Sequence, residues 1–233
     1  MIPNNYFNRI FKKVILRLKN RNLKRVIGKF AEKSGLIYFG YVDQHSDDHK
    51  VVRGLTVSST HQDDHYSLGS VGGYNVTIVS RSDYVWQPDA SSKLYNWLII
   101  SIDLHTEKPI PHFFIGAKNH DLRQFDALFS TFPNMKELDL GTFEKYDQEF
   151  TSRFSIYGRP AKSNDIQRII TAEVAKVLGV HFWPFSAEQH DNVLYLYSTN
   201  LKINSSLLET ILENGLWLAG HLDSQVETTL NQD

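Results

Sequence analysis

Three observations predict an α+β fold, with a mostly antiparallel sheet, N-terminal basic helices, and helices packed on the sheet in the C-terminal half. Strand-like runs crowd into residues 36–117 and are joined by short links, which suit antiparallel pairing. Helical spacing of apolar residues occupies residues 1–35 and returns after residue 118. Strands and helices are thus segregated instead of alternating, as a doubly wound sheet would require.

The first segment carries two helical patterns. Phe7, Ile10, Phe11, Val14 and Leu18 form one stripe, and Leu23, Val26, Ile27, Phe30 and Ala31 form another. Asn20-Arg21-Asn22 separates them, and Ser34-Gly35 ends the second. Strands follow at Leu36–Val42, Val51–Ser58, Tyr66–Val71 and Tyr74–Arg81. Gly72-Gly73 joins the last two as a two-residue hairpin turn, since both positions tolerate positive φ. Leu94–Leu104 is apolar at nearly every position, which places it at the centre of a covered sheet. His112–Gly116 makes a further strand beyond a proline-bracketed turn.

In the second half, Asp121–Phe132 reads as a short helix and Phe150–Tyr157 as a strand. A helix is expected from about Ile166 to Leu178, stopped by Gly179. Val180–Phe185 and Val193–Ser198 read as strands, with Asp191-Asn192 turning before the second. Ser206-Leu-Leu-Glu209 has the form of a capping box for a final helix ending near Leu222. The expected organisation is a basic helical segment over 1–35, one compact domain over 36–223 with a subdivision near 118–148, and a polar tail over 224–233.

Composition narrows the function. The chain has 233 residues, 41% hydrophobic and 22% charged, as in a soluble globular protein. It has no cysteine, which excludes disulfides, thiolate metal sites and thiol nucleophiles. No apolar run approaches the roughly 20 residues of a membrane-spanning helix. The N-terminus lacks an uninterrupted apolar stretch and does not read as a signal peptide. A cytoplasmic protein, peripheral to a membrane in one version, is the expectation.

The formal net charge of −1 conceals a division. Residues 1–35 hold ten basic side chains and one acid, a charge of +9, while the remainder carries −10. Arg9, Lys12, Lys13, Arg17, Arg21, Lys24 and Arg25 are the candidate contacts for an acidic partner: an anionic membrane surface, a nucleic acid or a protein. Helices whose lysines and arginines only solvate one side would show the same pattern.

One pentapeptide occurs twice. His45, Asp47, Asp48 and His49 form the first copy, and His61, Asp63, Asp64 and His65 the second. Imidazoles and carboxylates are ligands for zinc, manganese or iron, so a divalent metal and a metal-dependent hydrolase form the alternative reading. In a meander the two copies fall in loops at opposite ends of strand 51–58, roughly 20 Å apart at the rise of a strand, so one ion could not use both. Polar loop residues explain the motif without a metal, and no cofactor is expected. Asp103 and His105, with Glu107 close behind, offer a carboxylate beside an imidazole for acid–base work, or only a strand end entering a turn. Phosphate-cradling loops, nucleophile elbows and His-Glu-x-x-His are absent from the sequence.

Residues 150–198, with Phe150 and Phe154 four apart, then Ile156-Tyr157, a helix, and a last pair of strands including Leu194-Tyr195, resemble the back half of an uncharacterised bacterial domain family. Gly54, Gly69 and Gly73 match its glycine-containing front strands. Members often carry the domain behind membrane helices. The resemblance implies a similar layout and assigns no functional residue. Together these features point to a binding module whose basic helices meet an acidic partner, and away from an enzyme.

Overall fold

The computed structural model describes residues 21–41, 62–86, 92–106, 108–118, 132, 134–139, 146–199 and 201–229. The α+β expectation holds. Helix α1 covers 21–33 among these residues. Among the described residues nine strands follow: β1 (Ile37–Gly40), β2 (Gln62–Val71), β3 (Tyr74–Trp86), β4 (Ser92–Asp103), β5 (Phe113–Ala117), β6 (Lys136–Glu137), β7 (Phe154–Gly158), β8 (Ser186–His190) and β9 (Val193–Thr199). Helix α2 (Gln148–Arg153) precedes β7, α3 (Ser163–Ile169) and α4 (Ala172–Val177) lie between β7 and β8, and α5 (Ser205–Thr229) ends the described chain. The strands make one sheet in the order β1-β2-β3-β4-β9-β8-β5-β7-β6. Every pairing is antiparallel.

Strand β4 occupies the place its two-sided apolar pattern demands. Leu98, Ile100 and Ile102 point into the larger core with Leu194, Leu196, Leu212 and Leu218. Trp97 and Ile99 point the other way, into a second cluster with Val79, Phe114, Tyr195 and Tyr197. The hairpin at Gly72-Gly73 is present, with φ of 60° and 89°. Asp191 and Asn192 turn between β8 and β9 with φ of 51° and 58°, which these two residue types tolerate better than most.

Several elements differ from the sequence pattern. Strand 51–58, helix 121–132 except Phe132, and the loop holding the first pentapeptide lie outside the described residues. Phe150–Tyr157 is not one strand. Asp147 accepts the Glu149 N–H with its side chain and starts α2, so Phe150 is helical and β7 begins only at Phe154. The four-residue spacing of Phe150 and Phe154 stacks their rings at 5.5 Å. The long helix over 166–178 is interrupted at Ile170, and Thr171 caps α4 by accepting the Val174 N–H.

Val180–Phe185 is not a strand. Residues Leu178–Phe182 form a π-helical turn instead. Gly179 there lies against the Phe150 backbone, where a Cβ would sit 2.9 Å from the Phe150 nitrogen. Arg153 Nη1 donates to the Gly179 carbonyl at 2.6 Å, and Asn214 Nδ2 donates to the His181 carbonyl at 2.8 Å. Tertiary contacts thus take the carbonyls that a sheet would have used. The strand is displaced to Ser186–His190, a polar stretch in which Ser186 and Glu188 find hydrogen-bond partners inside the fold.

The final helix is capped two residues earlier than the sequence motif. Asn204 Oδ1 accepts the Leu207 N–H at 2.8 Å, while Glu209 reaches Ser205 and Lys33. Helix α5 also runs past Leu222 to Thr229.

Truncating Ile100, fully buried on β4, to Ala removes core contacts on the helix-covered face. The expected loss is about 2–5 kcal/mol, measured as a shift in urea midpoint at unchanged slope. A loss under about 0.5 kcal/mol would put β4 somewhere other than the centre of the core.

Candidate functional site

Helix α1 presents the sequence stripe inward. Ile27, Phe30 and Ala31 are buried in the main core, with Leu23 and Val26 packed at its margin. Arg21, Lys24, Arg25 and Lys29 are exposed. Lys33 is tied to Glu209 of α5 at 2.6 Å, which leaves the other four as the cationic side of the helix. The helix ends where Leu36 N–H reaches back to the Ala31 carbonyl at 2.8 Å and Gly35 adopts φ of 74°. Buried Leu36 then directs the chain into β1.

Strand β1 pairs with β2, and Ile37 lies opposite Leu68. Ile37 is 64% exposed, Phe39 52%, Tyr41 60% and Leu68 39%. Phe39 meets the half-buried Tyr66 with ring centroids 5.9 Å apart. Tyr38 turns to the opposite side, where it packs on the core beside α1. Its hydroxyl hydrogen-bonds His65 Nδ1 at 2.7 Å. The sequence pattern marked this stretch as a strand but did not show which side stays uncovered.

Arg21, Lys24 and Arg25 are therefore placed as the sequence suggested, outward on one helix. Arg9, Lys12, Lys13 and Arg17 lie outside the described residues. So do His45, Asp47, Asp48, His49 and His61.

The second pentapeptide is not a loop where it is described. Asp63, Asp64 and His65 belong to β2, which starts at Gln62. Asp63 is buried and accepts from Arg81 Nε at 2.6 Å and Nη2 at 2.7 Å. Its carboxylate is committed to a two-pronged ion pair inside the sheet. His65 sits at a bulge with φ of 58° and faces Tyr38. Among the described residues, no group of three or more histidine and acidic side chains could hold a metal ion.

The acid–base pair suggested at Asp103 and His105 is also rearranged. His105 stacks on Tyr74 with ring centroids 4.3 Å apart and planes 2° from parallel. The carboxylate near it is Asp223 of α5, 3.8 Å from His105 Nδ1. Asp223 accepts the His105 and Thr106 N–H groups at 3.1 Å each, and the Tyr74 hydroxyl at 2.8 Å. Burial, helped by Asp223, pushes the Tyr74 phenol up to about 12. This cluster fastens the β2–β3 hairpin to the C-terminal helix.

A second buried group was hidden in the polar stretch 186–190. Glu188, fully buried, accepts from Tyr197 at 2.5 Å and lies 2.8 Å from His112 Nε2. Burial and the Glu188 charge hold the Tyr197 phenol well above its ordinary value. His190 packs against the His112 ring at 4.2 Å.

The fold has a solved counterpart. The chain is similar to the crystal structure of the mycobacterial trehalose monomycolate transport factor A, TtfA, with a TM-score of 0.58 at 13% sequence identity. The match covers 88% of this chain and 95% of that one. At that identity the likeness shows the fold alone. No family model and no curated protein matches the sequence.

Two outcomes follow for the buried polar groups. Changing Asp63→Asn removes the carboxylate charge that the buried Arg81 guanidinium grips and is expected to cost about 3–5 kcal/mol. The paired replacement Asp63→Leu with Arg81→Met should recover part of that loss in a double-mutant cycle. A double variant no more stable than Asp63→Asn would rule out an uncompensated charge as the cause.

The second outcome concerns pH. Burial holds His65 and His221 below the free value of 6.5. The folded protein then binds fewer protons than the unfolded chain, so stability is complete above 6.5 and falls as pH drops through the depressed values. Burial raises Asp64 above 3.8, which acts in the opposite direction at lower pH. The melting temperature should therefore decline between about pH 7 and about pH 5. Replacing His65 and His221 by Gln should flatten that slope, and an unchanged slope would assign it to other groups.

Proposed function

We propose that this protein is a non-enzymatic binding module whose basic helical front end meets an acidic partner. The observation that carries the proposal is the orientation of α1. Its apolar stripe is buried in the body, and Arg21, Lys24, Arg25 and Lys29 are left exposed. The two explanations for a basic amphipathic helix separate here. A helix lying flat on the acidic body would consume its charges internally. Here, among the described residues, Lys33 is the one of the five helix cations joined to an acid on another element, Glu209.

The described residues also favour binding over catalysis. Asp63 is engaged with Arg81, Glu188 with Tyr197 and His112, and Asp223 with Tyr74 and two backbone N–H groups. These carboxylates act as structural ties. The structure that shares the fold is described as a transport factor, which accords with a binding role.

Heparin supplies a soluble polyanion for the test. Binding is expected at low salt and should weaken linearly in log affinity against log salt as counterions are released. Arg21→Glu, Lys24→Glu and Arg25→Glu together should weaken it by roughly a hundredfold, at about 1 kcal/mol for each cation near an anionic surface. Equal binding by wild type and triple variant would remove α1 from the interface.

A further inference from the structure

We propose that the acidic partner is an anionic lipid bilayer, met by the edge of the sheet, with Ile37, Phe39 and Tyr41 entering the headgroup boundary and Arg21, Lys24 and Arg25 facing the phosphates. The proposal rests on the binding role of α1 given above and names its partner.

Two independent features adjoin at β1. The first is the apolar row: Ile37, Phe39 and Tyr41 are each more than half exposed, and Leu68 extends the row across the strand pair. Side chains two apart on a strand share a side, so Ile37 and Phe39 project together. Exposed large apolar side chains gathered in one place mark an interaction surface. The second feature is the cationic side of α1. Lys24 is close enough to His65 to disfavour its protonation, and His65 is hydrogen-bonded to Tyr38. Lys24 therefore lies near the end of β1 that carries Phe39.

The chemistry divides between the two elements. Helix α1 cannot insert an apolar face of its own, because Ile27, Phe30 and Ala31 are in the core. It can supply charge, worth about fivefold in affinity per cation at an anionic surface. Strand β1 supplies the insertion. Apolar side chains at the headgroup boundary add binding in proportion to the area they bury. Neighbouring strands lie about 5 Å apart, so a plane against the outer strand touches side chains from both of its sides.

The distribution of charge favours a bilayer over a nucleic acid. Stacked bases need cations on the same side as the aromatic rings, to meet the attached phosphates. Here Ser70 and Asn75 lie exposed on that side, and Asp103 is near enough to act on the Tyr66 phenol. Ile37 and Leu68 are aliphatic and offer bases no stacking surface.

Sedimentation with vesicles tests this, using equal parts phosphatidylcholine and phosphatidylglycerol beside pure phosphatidylcholine. Wild type is expected to bind the anionic vesicles and not the neutral ones. Ile37→Ser with Phe39→Ser should weaken vesicle binding by about tenfold or more while leaving heparin binding unchanged. Both positions are exposed, so an unchanged melting temperature confirms the fold. Three results overturn the lipid assignment: vesicle binding unaffected by the Ser pair, equal binding to neutral vesicles, or heparin or RNA binding without vesicle binding. The last preserves the acidic-partner role, whereas binding to no polyanion and no vesicle removes both.

Discussion

The ion pair between Asp63 and Arg81 constrains everything outward of it in the sheet. Both side chains are buried, and two hydrogen bonds under 3 Å join them. A strand slipped by one residue moves every side chain to its other face. For β2 that slip would take the Asp63 carboxylate away from the buried Arg81 charge, at a cost of several kcal/mol. The pair therefore selects one register for the start of β2. The bulge between Asp64 and Ser67 then re-aims the strand, and the pairing of Ile37 with Leu68 follows. A buried polar pair between β2 and β3 thus decides which side of β1 looks outward.

Helix α1 depends on the same arrangement from the other side. Its stripe needs an apolar surface, which the body provides with Leu36, Tyr38 and the C-terminal helix near Glu209. Burying that stripe turns the cations outward by geometry alone, because the two sets of residues occupy opposite sides of one cylinder. Charge on the helix and apolar exposure on the adjoining strand become neighbours although each arises from a separate local pattern. The electrostatic component acts at a distance and is screened by salt, while the apolar component acts only in contact.

The buried polar groups explain where pattern reading lost track of the chain. Ser186–His190 has the polarity of a loop, yet Ser186 accepts the Ala117 N–H and Glu188 is held by His112 and Tyr197. Residues 62–65 have the polarity of a loop for the same reason, since Asp63 finds its partner 18 positions away. In contrast, Val180–Phe185 has the apolar content of a strand but is turned aside at Gly179 by Phe150 and Arg153. Each error has one cause: a long-range contact changed the cost of burying or bending that segment.

Local chemistry was sufficient for the α+β class, the two-sided burial of β4, the turns at Gly72-Gly73 and Asp191-Asn192, and the amphipathic pattern of α1. Periodicity, glycine conformational freedom and apolar content are properties of short windows, so the amino-acid sequence determined them without the rest of the chain. The partner of Asp63, the breaking of helix 166–178, the π-helical turn and the exposed side of β1 were decided only by tertiary structure. They depend on which distant residue arrives to satisfy a charge or fill a space. The cations of the candidate interface were legible because a formal charge is visible in any context. Ile37 and Phe39 were not, because an apolar residue on a strand is read as core until the fold shows it exposed.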